Sequence, residues 1–381
     1  MPRISNKQNS NQVASCRPTA ELYIYELLAV CANIKLYFVL MNALAILVTI
    51  WALGFSAVAL TITDNTVETI ILDKHDEDLT VNSGAYYWLL NNNSTVLRGS
   101  VENNGGLYVS NFLGVVSDFT AVGPSFINRG SLDFNTLDAK EVSIYNITSS
   151  DTFENSGDMF FGVSGGTPIK TPFTITAATS WTNQGRIVFE KTSEPSVHVL
   201  VGKEIAEENG LRYIKNEGAI CLYNTEWKQT TNVVGKGCIT VSKNSKFQLQ
   251  FTLNKLSLYF PGEQTINLAE SDSSLEFTGL TQGVLATCPT FKVVGFGNGN
   301  TVKIDQYLRG FFYDTQTGIL KIKLNGSSVL RLDIGRDYKP SKFKKAGTAG
   351  GSSISYRGDP PNNAPAICSC DKTLFESTMQ N

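Results

Sequence analysis

A seven-residue pattern of polar and apolar positions recurs along the middle of the chain. It reads Asn-x-Gly-x-Φ-x-Φ, where Φ is apolar, and FENSGDMFF at 153–161 contains a typical copy. The copies begin at Asn103, Asn128, Asn155, Asn183 and Asn216, and a sixth begins at Gly235, where glycine replaces asparagine. Successive copies start 25, 27, 28, 33 and 19 residues apart. The repeat therefore has the length of one supersecondary unit.

Every Φ position in the six copies is apolar, whereas the residue between the two Φ positions varies from Asp133 to Val188. Alternation with a period of two indicates short strands that bury one face. Self-similarity at a period of about 20 to 50 residues, without helical periodicity, is typical of a β-solenoid. We therefore predict an all-β fold built on a β-solenoid. A β-sandwich with ordinary hairpin turns at Asn-x-Gly is the alternative, which the irregular spacing keeps open.

Asparagine and glycine in the pattern are predicted to turn each coil. Glycine adopts positive φ without steric cost, and asparagine is tolerated at such bends. Stacked coils would also let the asparagine side chains hydrogen-bond as a ladder. The predicted turn residues are Asn103, Gly105, Asn128, Gly130, Asn155, Gly157, Asn183, Gly185, Asn216, Gly218 and Gly237.

The pattern also suggests how the chain is divided. Coils are expected to begin before Asn103, and SKFQLQF (245–251) and SSLEFTGL (273–280) are interpreted as copies without the glycine. Beyond about Ala286 the alternating segments lengthen, and Asn325-Gly326 is a hairpin signal between two of them. We predict a leader at 1–60, a β-solenoid at 61–285, an antiparallel β module at 286–343, and a Gly/Ser/Pro-rich tail with Cys-x-Cys at 344–381.

The leader has the features of a secretory signal. No charged residue occurs from Leu36 to Thr63, and the small residues Ala57-Val58-Ala59 suit a signal peptidase. Met41 is an alternative start that would give a compact signal peptide. An uncleaved membrane anchor is the other interpretation, since the apolar run is long enough to span a bilayer. Both place the chain after about Leu60 outside the cytosol.

Charge and cysteine content narrow the class of protein. The net charge is -2, the pI is about 5.9 and no basic patch occurs, which argues against nucleic acid as a partner. Five cysteines follow the leader, so one would be unpaired within the chain, and two bonds among five can be drawn in about fifteen ways. The disulfide candidates are Cys221, Cys238, Cys288, Cys368 and Cys370. The N-glycosylation candidates are Asn92, Asn93, Asn146 and Asn325.

Candidate chemistry is sparse. The acidic turn Asp73–Asp78 could hold a cation but is better explained as a solvated turn, and His198 as packing or surface decoration rather than a base. Scattered acids such as Asp133 and Asp158 do not form the carboxylate pair that a glycosidase needs. We predict no catalytic residue, no metal and no cofactor. Five aromatic residues could contact sugars or apolar surfaces, although core or capping roles are preferred for the first three: Tyr86, Tyr87, Trp88, Trp181 and Trp227.

Several loose motifs, in this order, carry a family resemblance. They are SGAYYWLLNNNSTVLRGSVENNGGLYVS, ICLYNTEWKQ, GKGCITV, DIGRDYKPSKF and ISYRGDPPNNAPAICSC. Together they resemble the N-terminal domain of hyphally regulated cell wall proteins, which are adhesin-like wall proteins of ascomycete yeasts. The resemblance covers roughly Thr61 to Cys370.

The resemblance implies a right-handed parallel β-helix followed by a small α-crystallin-like β-sandwich, displayed on the fungal cell wall. A Ser/Thr-rich stalk and a GPI signal normally follow in the family, and neither appears here, which leaves the mode of anchoring open. The expected function is a secreted, adhesin-like, non-catalytic module. Its expected partner is cell-wall polysaccharide or a host or abiotic surface, with membrane contact only through an uncleaved leader. The alternatives are a secreted polysaccharide hydrolase or lyase, and a purely structural wall glycoprotein.

Overall fold

The computed structural model describes nine stretches of the chain and shows an all-β protein with parallel and mixed sheets. The described residues are 59–69, 75–165, 171–192, 194–203, 211–253, 256–280, 289–325, 328–348 and 351–371. They lie in one compact unit, Val58–Asn381. The predicted leader falls almost wholly outside them, as does Cys288.

Most strands, numbered in chain order, belong to three sheets. Sheet A contains, in lateral order, β1 (Leu60–Ile62), β3 (Leu79–Val81), β6 (Val101–Asn103), β9 (Ser125–Asn128), β12 (Thr152–Asn155), β15 (Ser180–Asn183), β18 (Tyr213–Asn216) and β21 (Asn232–Val234). Sheet B contains β2 (Thr66–Glu68), β4 (Tyr86–Leu90), β7 (Gly106–Ser110), β10 (Ser131–Thr136), β13 (Asp158–Val163), β16 (Arg186–Lys191), β19 (Ala219–Tyr223), β22 (Cys238–Val241), β26 (Thr265–Leu268), β28 (Phe291–Val294), β32 (Val329–Asp333), β31 (Ile319–Lys323) and β30 (Gly310–Asp314).

Sheet C contains β33 (Phe343–Thr348), β34 (Gly351–Tyr356), β29 (Thr301–Ile304), β27 (Ser274–Thr278), β23 (Lys246–Gln250), β20 (Thr225–Lys228), β17 (Val197–Gly202), β14 (Phe173–Ala177), β11 (Tyr145–Ser149), β8 (Asp118–Ala121) and β5 (Ser94–Leu97). A separate hairpin consists of β24 (Thr252–Leu253) and β25 (Leu256–Ser257). Two 3-10 turns lie at Pro340–Lys342 and Ala366–Cys368.

From β3 to β23, consecutive strands enter sheets A, B and C in turn, and we call each set of three a circuit. Each strand pairs in parallel with the strand one circuit earlier, as β13 does with β10 and β16. Parallel pairing excludes hairpin turns at Asn-x-Gly, because a hairpin joins antiparallel neighbours.

The apolar Φ pairs stack in register along sheet B. In the column of first Φ positions, Leu132 pairs with Leu107 and Met159. In the column of second Φ positions, Phe161 pairs with Phe134 and Phe189. All twelve Φ side chains are at most 2% exposed. The prediction of strands with one buried face is therefore confirmed, and the copies line one continuous core.

Two segments interpreted as copies belong elsewhere. SKFQLQF and SSLEFTGL contain β23 and β27, which pair with each other in sheet C. The sheet B strand in this region is Thr265–Leu268, which the pattern did not identify. Alternation with a period of two is shared by strands of all three sheets, and only Asn-x-Gly distinguishes sheet B.

The predicted boundary at 285/286 does not coincide with a change in pairing. Parallel pairing continues from β26 to β28 and from β27 to β29. Within the three large sheets, antiparallel pairing begins with β30–β32, where the expected hairpin joins β31 to β32. Gly326 itself lies outside the described residues. The segment predicted as a tail instead supplies most of β33 and all of β34, which extend sheet C.

An aromatic cluster joins the C-terminal ends of sheets B and C. The ring centroids of Tyr338 and Tyr356 are 4.8 Å apart, and those of Phe343 and Tyr356 are 5.0 Å apart. The Tyr313 hydroxyl donates a hydrogen bond to the carbonyl of Gly335 at 2.8 Å. These rings give the antiparallel strands a core that continues the main one.

Within the described residues, no helix has the length and apolar character needed to cross a bilayer.

The glycines of the pattern serve close approach rather than an unusual φ. The expectation of positive φ is wrong for Gly105, Gly130 and Gly157, whose φ lies outside the left-handed region; only Gly235, in the asparagine position, has φ 103°. A Cβ on Gly157 would overlap the carbonyl oxygen of Gly130 in the preceding circuit. That oxygen is occupied, because it accepts the N–H of Asp158 at 3.0 Å. Glycine is required because a side chain would force the circuits apart.

The asparagines form a buried ladder that runs along the stack. Asn103 donates from Nδ2 to Oδ1 of Asn128 at 2.7 Å, and the same bond recurs at 2.8 Å from Asn128 to Asn155, Asn155 to Asn183, and Asn183 to Asn216. All five side chains are fully buried. Asn216 then donates to Oε1 of Gln264 at 3.1 Å, so a longer amide ends the ladder. The expected ladder is present.

We expect Gly157→Ala to destabilise the protein by about 1–3 kcal/mol or more, because the new Cβ separates two circuits. The midpoint of urea unfolding measures this loss. Gly310→Ala is the matched control, since nothing lies within 4 Å of a Cβ at that strand position. Equal midpoints for the two variants would contradict the steric explanation.

Asn155→Ala should cost about 2–6 kcal/mol, because it removes a ladder partner from Asn128 and another from Asn183, and each lost partner in the core costs about 1–3 kcal/mol. Thermal unfolding of the variant tests this. Glu154→Ala changes the preceding, half-buried side chain of the same strand and should leave the melting temperature nearly unchanged. A similar drop in both variants would show that the ladder bonds do not matter.

Candidate functional site

A groove runs along the corner between sheets A and B, where Asn-x-Gly lies. The x residue of each copy points to solvent and stacks with its counterparts, one per circuit; Arg129, Ser156 and Gln184 are exposed, and Glu217 is half-buried. Glycine backbone forms the floor, and the first outward residues of the sheet B strands form the other wall. The groove has a volume of 530 Å³.

Charges in and beside the groove are paired within the protein. Arg186 Nη2 lies 2.9 Å from Asp158 Oδ2, and Arg129 Nη1 lies 2.7 Å from Glu102 Oε1. Glu217 accepts the backbone N–H of Lys236 at 3.1 Å. The groove therefore presents balanced charge and many hydrogen-bonding groups.

Two disulfides hold the C-terminal segment over one end of this groove. Cys221 bonds to Cys370 and Cys238 to Cys368, which places Ala366, Ile367 and Ser369 along the groove. Thr240 Oγ1 also donates to the carbonyl of Cys368 at 2.9 Å. Sequence left the pairing open because both partners of each bond come from distant segments.

The same segment covers an apolar cluster on the outer face of sheet B. Phe160, Val188, Ala219 and Cys221 are buried there, with Cys370 packed against them. Outward positions of a surface sheet are normally polar. The varying residue between the Φ positions is therefore buried in these circuits, where Leu137 and Tyr223 pack against the cluster together with Cys370.

The outer face of sheet C carries a row of alternating charges that sequence analysis missed. Lys246 Nζ lies 3.5 Å from Glu226 and 3.7 Å from Glu276, and Lys303 Nζ lies 3.1 Å from Glu276. His198 Nδ1 begins the row, 3.8 Å from Glu226. His198 is thus surface decoration in a charged row, as one of the two interpretations held. In the sequence these residues are 20 to 30 positions apart. The register aligns His198, Glu226 and Lys246, and separately Glu276 and Lys303. Lys246 lies opposite Ser274 and reaches Glu276 diagonally.

The aromatic candidates divide between core and surface. Tyr87, Trp181 and Trp227 are at most 3% exposed and belong to the core. Burial, with a smaller contribution from the charge of Glu68, raises the pKa of Tyr87 to about 12. A core role is wrong for Tyr86 and Trp88, which lie half-buried on the outer face of sheet B. The alternation of β4 makes adjacent residues point in opposite directions.

Partly exposed aromatic rings gather near Trp88. The rings of Tyr86 and Tyr108 are 5.9 Å apart, and those of Trp88 and Phe112 are 6.2 Å apart. Trp88 Nε1 donates to Ser110 Oγ at 2.8 Å. Phe112 and Leu113, on the following loop, are 60% and 69% exposed.

The acidic turn is only partly described, since Asp73 and Lys74 lie outside the described residues. Asp78 Oδ1 accepts the N–H of Ser100 at 2.7 Å, and Asp76 lies 3.9 Å from Arg98. Both carboxylates therefore serve local structure. Among the described residues, no group of three or more His, Cys, Asp or Glu is placed to hold a metal ion.

In the part of the chain that the structure describes, two carboxyl groups have a raised pKa, the property expected of a general acid. Burial raises the pKa of Asp118 and of Asp305, although the hydrogen bonds from the N–H groups of Ile144 and Gly279 oppose it. Asp118 begins β8 and Asp305 directly follows β29. These strands are seven spacings apart in sheet C, which at about 4.8 Å each is about 34 Å. Paired carboxyls in glycosidases are about 5–9.5 Å apart. These two do not form such a pair.

The glycosylation candidates differ in accessibility. Asn93 and Asn325 are exposed, and Asn146 is half-buried on the outer face of sheet C, where its Oδ1 accepts from Thr148 at 2.7 Å. Asn92 is only 1% exposed, with Oδ1 3.3 Å from the N–H of Ser94. Of the overlapping pair, the geometry leaves room for a glycan on Asn93 alone.

Similarity to known proteins places the chain among cell wall proteins. Cell wall protein RBR3 of Candida albicans is 34% identical over 339 residues, covering 84% of this chain and 20% of the relative. Hyphally regulated cell wall protein 3 of the same yeast is 32% identical, covering 85% of this chain and 26% of the relative. Cell wall protein IFF6 is 30% identical, covering 83% and 30%. The chain thus spans less than a third of the length of these relatives, whose names are not those of enzymes.

Residues 50–376 match the family described as hyphally regulated cell wall protein N-terminal. The chain belongs to this family, as its motifs predicted. Membership also confirms the predicted localisation: the protein is secreted and belongs to the fungal cell wall.

The contributions of the two disulfides to stability should not be additive. Both span long segments, of 149 and 130 residues, but they are nested. Once one exists, the other closes a ring of only roughly 20 residues, so removing either should cost about 3 kcal/mol and removing the remaining one about 5 kcal/mol. Urea unfolding of the two paired Cys→Ser variants and of the variant without all four cysteines tests this. Equal costs for the two steps would contradict the nested arrangement.

Proposed function

We propose that the three-sheet arrangement is a right-handed parallel β-helix that acts as a rigid, non-catalytic display module of the cell wall. Repeated entry into sheets A, B and C, with parallel return beside the previous strand, supports the helix. Connections between parallel strands are right-handed in about 98% of cases, which supports the hand. The buried ladder supports rigidity, because each circuit is bonded to the next through side chains as well as backbone.

The C-terminal antiparallel strands fit a small β-sandwich built onto the end of this helix. β30–β32 extend sheet B, β33 and β34 extend sheet C, and the rings of Tyr313, Tyr338 and Phe343 pack between them. This packing supports the α-crystallin-like module that the family resemblance implies.

The groove at the sheet A/B corner is the observation that carries a binding role. Its wall repeats a polar group once per circuit, about every 4.8 Å along the stack. A long ligand lying along the stack would meet a polar side chain at every circuit, although its identity changes from Arg129 to Ser156, Gln184 and Glu217. A linear polymer fits this repetition better than a compact molecule does.

The charge balance of the groove favours a neutral, hydroxyl-rich polymer. Arg186 is paired with Asp158, so neither sign of charge is left in excess to attract a polyanion or a polycation. The backbone at the corner is also engaged, since Ser131 N–H bonds to Gly105 and Arg186 N–H to Gly157. A peptide strand could not add to it as it adds to an open sheet edge. A neutral wall polysaccharide is therefore the proposed partner.

A non-catalytic role is supported by the engagement of the carboxylates. Asp158 is held by Arg186, Glu102 by Arg129, and Glu226 and Glu276 by Lys246. A general acid or base must be able to exchange a proton with a substrate. Binding without cleavage is what these contacts support.

Secretion through the leader and N-glycosylation at Asn93 and Asn325 complete the proposal. Both asparagines are exposed, so a glycan on either would extend into solvent without disturbing the core. Adhesion to wall polysaccharide of neighbouring cells and cross-linking within one wall are both uses of the same binding surface.

Binding to isolated yeast walls and to soluble neutral β-glucan tests this function. We expect the secreted full chain to be retained by the walls and to release no reducing ends from them. Ser156→Tyr should weaken retention at least about tenfold, because the ring fills the groove. Thr174→Tyr, on the outer face of sheet C, is the matched control.

Release of reducing ends would replace the binding role with hydrolysis. Equal retention of the two tyrosine variants would move the binding surface away from the groove. No retention of the unmodified chain would leave a purely structural wall role.

A further inference from the structure

We propose that the nested disulfides act as a mechanical bypass, so that tension applied through the C-terminal end enters the fold at Cys221 and leaves the segment 222–369 unloaded. The proposal rests on the display function above, in which the module is held from its C-terminal side. The matched family region is an N-terminal one, and the chain covers 20% to 30% of its longer relatives. The rest of such a protein therefore pulls from the C-terminal side.

Covalent connectivity determines the route of the tension. A pull on Asp371 reaches Cys370 first, and its disulfide passes the tension to Cys221 in β19. Both ends of the segment between these cysteines are then held at one point, so no tension develops along it. The second bond, from Cys238 to Cys368, closes the same loop again within the first.

The bypassed segment is the part of the fold that a pull would otherwise open first. It contains the antiparallel strands β30–β34, and β33 and β34 are the last strands before the C-terminal end. Without the disulfides, a pull on Asp371 would draw the chain away from β34 and detach that strand from β29. The sandwich-like end would then be the weakest part under load.

The bypass also means that tension enters the fold at Cys221, close to the candidate ligand groove. Cys221 lies two residues after Ala219, which lines the groove, and Ile367 beside the disulfides lines it as well. Force from a polymer bound in the groove would reach Cys221 through the circuits that contain Asn128 to Asn216. These are the circuits joined by the asparagine ladder. The loaded part of the fold is thus the part with extra side-chain bonds between strands.

Single-molecule pulling of the secreted full chain, with handles at its two ends, tests the bypass. Under oxidising conditions the fully extended chain should be shorter than the reduced chain by the length of the locked segment. At 149 residues, that difference is about 500 Å. Adding a dithiol reductant to the same folded molecules should restore the missing length.

The variant Cys221→Ser/Cys370→Ser gives a quantitative control. The remaining bond then locks 130 residues, so the oxidised variant should extend roughly 65 Å further than the oxidised wild type. The same full extension with and without reductant would overturn the proposal, as would a reduced chain in which the first length released is not that of the C-terminal antiparallel strands. The experiment contains no ligand, so its outcome is independent of whether the groove binds polysaccharide.

Discussion

Close stacking of successive circuits at the sheet A/B corner is the constraint on which the rest of the molecule depends. Glycine at this corner lets the carbonyl of one circuit lie against the backbone of the next, and the adjacent asparagine bonds to its counterpart above. A side chain at the glycine position would separate the circuits, and the amide ladder would lose its 2.8 Å contacts. The core columns of sheet B are in register because this corner holds them there.

This constraint also shapes the surface. Because glycine leaves no side chain between the x residues and sheet B, the corner becomes a groove with a repeating polar wall. The glycine that allows the stacking therefore also creates the candidate binding surface. Local variation is confined to positions such as Arg129, Ser156 and Gln184, which have no role in the ladder. Members of the family could change their ligand at these positions without changing how the stack is built.

The disulfides link the fold to the proposed display function. They fix the C-terminal segment to the middle of sheet B rather than to the end of the fold, cover the apolar cluster around Phe160, and close one end of the groove. A segment with little regular structure of its own is thereby fixed to the outer face of sheet B, with Cys368 buried and Ile367 left exposed. In a wall protein held from the C-terminal side, the same bonds decide which strands carry load.

The sequence by itself determined the all-β class, the buried Φ columns, the ladder and the family, because these depend on residues one repeat apart that must match each other. Only the tertiary structure decided the disulfide partners, the row of charges around Lys246, the outward position of Trp88 and the parallel pairing beyond 285. The physical reason is that the loop between strands varies in length from circuit to circuit. Which residues become neighbours across sheets B and C then depends on the register of the completed stack. The spacing of residues along the chain does not predict that register.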